Sequence, residues 1–177
     1  MQVSKDFDRE ELIALAVNDL SREQIEPALA KLKLAISLDK KIDVAQTLLA
    51  KIYAQLKLFD RAIYFFQLFL DQHPAAIQER FELGMVTLDN GQPAAALDIW
   101  APLLTDTNHP PTIFYSAVAY AELSEIAAAR RQLDILLKSV AADNLYFSRG
   151  KELLSSLDNL SAGSRTNPST RLETSLN

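Results

Sequence analysis

The stretch Leu49-Ala50-Lys51-Ile52-Tyr53-Ala54-Gln55-Leu56-Lys57-Leu58-Phe59-Asp60-Arg61-Ala62-Ile63-Tyr64-Phe65-Phe66 decides the fold. Two small residues, Ala50 and Ala62, stand 12 positions apart, each inside apolar periodicity of helical type. Working outward, the same pair recurs as Ala16 with Ala28, Gly84 with Ala96, and Ala117 with Ala129. The later members of these pairs step by 34, 34 and 33 residues. A fixed period of that length marks helix pairs that cannot bury their apolar faces alone and must stack on neighbours. The small residues are needed where two helix backbones cross closely, because a longer side chain there would push the axes apart.

Bulky residues keep the same register. Leu15, Leu49 and Leu83 each precede the first small residue, with Ser116 as the fourth and exceptional occupant. Leu32, Phe66, Trp100 and Leu133 lie four after the second small residue, and Ala35, Phe69, Leu103 and Leu136 lie three further on. Together with Phe59-Asp60-Arg61-Ala62 and Pro74, this pattern resembles the tetratricopeptide repeat over residues 9–160. The four slots where that family places a closing proline read Lys40, Pro74, Asn108 and Ala141, so only the second unit keeps it. The resemblance implies an all-α fold: a right-handed superhelix of about four helix-turn-helix units and a C-terminal capping helix.

The units are expected at about 9–39, 43–72, a third that turns at Asn90-Gly91 and ends near Thr105, and 112–141. Ser21 to Gln24 has the form of a capping box at the first turn, and Gly91 is suited to the positive φ that closes a helix. Asn108-His109-Pro110-Pro111 reads as a stiff connector. A final helix, about 143–160, places Gly150 in the first-helix slot of an incomplete fifth unit, with Lys151, Glu152, Ser155, Ser156 and Asp158 available for a polar outer face. Residues 1–8 form a lead-in. Residues 161–177 are rich in Ser, Thr and Asn and are expected to be disordered.

The 177 residues are 49% hydrophobic and 23% charged, as in an ordinary globular chain, and the four glycines and continuous helical patterning leave little room for a sheet. With no cysteine, disulfides and thiol chemistry are excluded, which fits a reducing compartment such as the cytoplasm. The acidic start contains no secretion-signal pattern, and charged residues interrupt every apolar run well short of the roughly 18 residues a membrane span requires. A net charge of -5 works against binding phosphate backbones, so nucleic acid is not an expected partner.

In the family resembled, first-helix residues line a concave groove. The corresponding slots are Ile13 and Val17, Thr47 and Lys51, Phe81 and Met85, Phe114 and Val118, then Phe147 and Lys151. The row is largely apolar and lacks the Lys with Asn or Arg set by which some members clamp a carboxylate. It points to a protein or peptide partner that inserts apolar side chains as an extended segment or amphipathic helix, with Phe81 and Phe114 as leading anchors; the alternative is that tight stacking of the units, or the N-terminal segment folding back, buries the same residues as core. Lys51 and Lys151 would orient an acidic segment. Tyr64 and Phe65 lie beside the packing stripe of the second helix, where they would cover the neighbouring unit or form an exposed association patch, packing being preferred, and Trp100 falls in a packing slot.

No catalytic residue, metal site or cofactor is expected. His73 and His109 stand alone before prolines, and without cysteine they supply too few zinc ligands. The serine-lysine spacings at Ser37 to Lys40 and Ser148 to Lys151 fall at unit boundaries without companion motifs, and the glycines are scattered rather than clustered. The expected function is that of a non-catalytic adaptor, scaffold or assembly factor. A chaperone of an exported protein, as in bacterial secretion systems, and a regulatory or structural subunit of a larger complex are the alternatives. Self-association is compatible with the sequence.

Overall fold

The structure, a computed structural model, describes residues 8–39, 43–106 and 109–163. These residues form α1 (Arg9–Ser21), α2 (Ile25–Leu38), α3 (Asp43–Gln55), α4 (Phe59–Leu70), α5 (Ile77–Asp89), α6 (Pro93–Asp106), α7 (Pro110–Glu122), α8 (Ile126–Ser139) and α9 (Leu145–Gly163). Consecutive helices pair as α1 with α2, α3 with α4, α5 with α6, and α7 with α8. By compactness the chain divides into two units, Met1–Asp106 and Thr107–Asn177.

The period that identified the repeats also sets their packing. Ala16, Ala28, Ala50, Ala62, Ala96, Ala117 and Ala129 are all fully buried. Leu32, Phe66, Trp100 and Leu133, the bulky slot after the second small residue, are buried beside them. In the first unit the pairs α1/α2, α3/α4 and α5/α6 stack through α2 on α3 and α4 on α5. In the second, α9 packs on both α8 and α7. Gly150 lies buried there against Leu136 and Leu137, and Lys151, Glu152, Ser155, Ser156 and Asp158 are exposed, as expected of a helix with one covered face.

One turn closes every pair. The N–H of Gln24 donates to Asp19 C=O at 2.9 Å and that of Glu23 to Leu20 C=O at 3.0 Å. The same two bonds recur from Leu58 to Tyr53 and Lys57 to Ala54, from Gln92 to Thr87 and Gly91 to Leu88, and from Glu125 to Tyr120 and Ser124 to Ala121. This is the Schellman closure, which satisfies orphan carbonyls by placing one residue in the left-handed region. Those residues are Glu23 (φ 60°), Lys57 (56°), Gly91 (74°) and Ser124 (61°). Only Gly91 takes the conformation without the steric cost of a Cβ, which is on the order of 1 kcal/mol for the others.

Several expectations are corrected. The capping box proposed for Ser21 to Gln24 does not form: Ser21 ends α1 and donates to Asn18 C=O, and Gln24 makes no side-chain cap. The capping box instead opens α1, where the Asp8 carboxylate accepts from the Glu10 and Glu11 N–H groups and Glu11 accepts from Asp8 N–H. Pro110 and Pro111 belong to α7, since a helix's first turn has no use for their missing N–H groups. The last helix starts at Leu145 and continues to Gly163. The expected lead-in up to residue 7 and the tail from residue 164 lie outside the described residues.

Candidate functional site

The groove slots do not share one environment. In the first unit, Ile13 packs partly into the core whereas Val17 is 47% exposed. Thr47 is half-buried, and its hydroxyl bonds back to the Asp43 and Val44 carbonyls of its own helix. The Phe81 ring stacks on Trp100 at 6.2 Å, and its carbonyl accepts the indole N–H at 3.1 Å. Trp100 is fully buried, as a packing residue should be. It fits because residue 84 is glycine: a Cβ there would lie 2.0 Å from Trp100 Nε1. Phe81 therefore completes a packed layer and exposes only part of its ring.

Lys51 and Met85 do come together. They line a cleft of about 330 Å³ between α3 and α5, with Ala54, Gln55, Val86 and Asp89. Lys51 Nζ lies 3.4 Å from Glu82 Oε1 across it. A second cleft of about 450 Å³ shares Ala54, Gln55 and Asp89 and adds Lys57 and Phe59. A third, of about 320 Å³, shares Lys51 and Gln55 and reaches Leu20, Ile25 and Leu48. The depressions run together along the C-terminal half of α3. Ala54, Gln55 and Asp89 were missed because they lie one turn beyond the slots taken from the family pattern. Counting four and five residues on from the small residue finds all three.

In the second unit, Phe114 is only 6% exposed. Tyr146 of α9 packs on it at 5.7 Å, and the Arg149 guanidinium sits 4.7 Å from its ring centre. Arg149 also lies 5.6 Å from the Tyr115 and Tyr146 rings, so three aromatic faces surround one cation. Burial raises the Tyr146 hydroxyl pKa, as does Tyr115, and Arg149 opposes them. Phe114 thus serves as the seat for α9. Val118 and Phe147 are half-buried, and the exposed Lys151 lies over the Phe147 ring at 5.5 Å.

The remaining polar and aromatic candidates are occupied locally. His73 pairs with Asp43 at 2.8 Å and packs on Phe69. His109 occupies the N-cap position of α7 without a side-chain cap bond; its Nδ1 lies 2.7 Å from Thr112 Oγ1, and burial lowers its pKa. Among the described residues no group of three His, Cys, Asp or Glu is placed to hold a metal. Nor is any described helix long and apolar enough to cross a membrane. Tyr64 corrects its packing assignment at 57% exposed, whereas Phe65 does pack, stacking on Tyr53 at 5.8 Å.

Helix pairs of this period, each closed by the same turn and packed through paired small residues, have the tetratricopeptide-repeat fold. Solved structures agree. The chain is similar to MamA (MSR-1, C2), at 19% identity with 90% of this chain and 82% of that one covered and a TM-score of 0.67. It is also similar to a second MamA crystal structure, at 17% identity over 74% and 72% of the two chains and a TM-score of 0.69. A tetratricopeptide repeat protein from Parabacteroides merdae ATCC 43184 is 18% identical over 88% of this chain and 62% of that one, with a TM-score of 0.76. No family model matches the sequence, and no curated protein matches it.

Proposed function

We propose that the chain is a non-catalytic interaction module, an adaptor, scaffold or assembly factor, that holds an apolar segment of a partner protein against the α3/α5 face. The observation that carries this reading is the cleft beside Met85, whose wall includes Ala54 and Val86 and whose rim is polar. An apolar wall recovers free energy from a partner's side chain, and a polar rim fixes its direction. Methionine suits such a wall because its flexible thioether adapts to differently shaped side chains. Among the original slots, Met85 and Lys51 belong to this face. Phe114 is left out because α9 covers it.

A photo-crosslinking residue at Met85 tests the reading against one at Leu34, an exposed position on α2. Adducts formed in source-cell lysate at position 85, absent at position 34 and lost when Ala54→Asp is added to a variant that remains fully helical, are expected. Adducts at position 34 alone would place the binding surface elsewhere.

A further inference from the structure

We infer that the segment taken by the α3/α5 face carries lysine or arginine beside its apolar residues; this rests on the interaction-module reading and specifies its partner. Lys51, which on sequence alone would orient an acidic segment, is already paired with Glu82, and Glu82 also accepts from Gln78 Nε2 at 3.0 Å. Asp89 is different. It is exposed, lines both the first and the second cleft, and makes no hydrogen bond or ion pair with the described residues.

Its position in the fold sharpens this. Gln55 and Asp89 are the last residues of α3 and α5, and both line the second cleft. Two helix carboxyl ends therefore converge there, each equivalent to roughly half a negative charge. Neither helix has a basic residue in its last turn to offset that end. Lys57 is the cation on the same wall. Setting its charge and the amino end of α4, whose first residue Phe59 lines the same cleft, against Asp89 and the two carboxyl ends leaves about half a negative charge beside an apolar wall. A cation placed by the partner would meet Asp89 and both helix ends together, while a carboxylate would meet repulsion from all three.

The probes are two short acetylated and amidated peptides, one alternating leucine with lysine and the other leucine with glutamate. Each is titrated into the full chain at low salt while the Met85 methyl resonance is followed. The lysine peptide is expected to bind more tightly, and Asp89→Asn to weaken it about threefold or more while strengthening the glutamate peptide. Asp98→Asn, which removes the same charge from an exposed position on α6, is expected to leave both affinities unchanged. Equal weakening by the two substitutions would reduce the preference to long-range attraction by an acidic protein and overturn the inference. Equal binding of both peptides, lost together in Met85→Asp, would also overturn it while leaving the interaction module standing. If neither peptide moves the Met85 resonance, the inference and the reading beneath it both fall.

Discussion

Gly84 and Gly150 occupy the same slot of the repeat, where other units place alanine, yet the two sites omit the methyl group for different reasons. At Gly84 the missing volume is filled by the Trp100 indole, a rigid and fully buried ring tied to Phe81 C=O by its N–H. At Gly150 the nearest groups are the methyl ends of Leu136 at 3.1 Å and Leu137 at 3.4 Å, on flexible side chains. The α5/α6 pair is therefore locked by shape. The α7/α9 contact is held more by the Arg149 cation among its three rings. The same small residue marks an interlocked seam in one region and a compliant one in the other.

The largest effect should follow from closing the interlocked seam. Gly84→Ala gains helix propensity of about 1 kcal/mol but places a methyl inside the indole, so a net loss on the order of 3 kcal/mol is expected. Trp100→Phe alone leaves a void and removes the indole bond to the Phe81 carbonyl, which keeps its helical partner, and should cost about 2 kcal/mol. The double variant recreates the Ala50/Phe66 combination of the preceding pair and should be more stable than Gly84→Ala alone. Denaturant unfolding of the four proteins measures the coupling directly. Additive losses would show that indole and glycine are not a matched pair.

The second region should respond to charge rather than volume. Arg149→Ala is expected to cost about 1 to 2 kcal/mol, since a partly buried cation over aromatic faces contributes that much. Amide exchange should accelerate in α9 while α3 and α4 remain protected. Arg149→Met keeps the packing of the stem without the cation. If the methionine variant matches the native protein, the guanidinium contributes nothing beyond area, and the contrast between the seams is one of size alone.

The fold was legible because its signal is redundant: Ala16, Ala28, Ala50, Ala62, Ala96, Ala117 and Ala129 announce a period that any one of them alone would not. Each small residue also faces a backbone crossing, so sequence spacing and packing report the same constraint. The Schellman closures were visible only at Gly91, because Glu23, Lys57 and Ser124 adopt the left-handed conformation against their own preference. That conformation is imposed by the geometry of the helix pair, which local composition does not reveal. The site was less legible. Slots copied along the chain treat Phe81, Phe114 and Phe147 as equivalent, although each ring's exposure depends on its neighbours. Trp100 stacks on the first, α9 covers the second and Lys151 lies over the third. Asp89 gave no signal because an exposed carboxylate at a helix end looks like any solvated charge until the second cleft places Gln55 beside it.

The smallest effect is expected at Gly150, where it is the most discriminating. Replacing glycine by alanine inside α9 improves helix propensity by about 0.5 to 1 kcal/mol. The new Cβ requires the Leu136 methyl to yield by a few tenths of an ångström, which the far end of a leucine side chain, although buried, achieves by a small rotation. These effects oppose each other, so the variant's stability should lie within about 0.5 kcal/mol of the native protein, measured by denaturant midpoint at unchanged slope. A loss comparable to that of Gly84→Ala would mean that Leu133, Leu136 and Leu137 are held as rigidly as Trp100. The seam beneath α9 would then be interlocked too, and Arg149 would be securing a helix already fixed by its core.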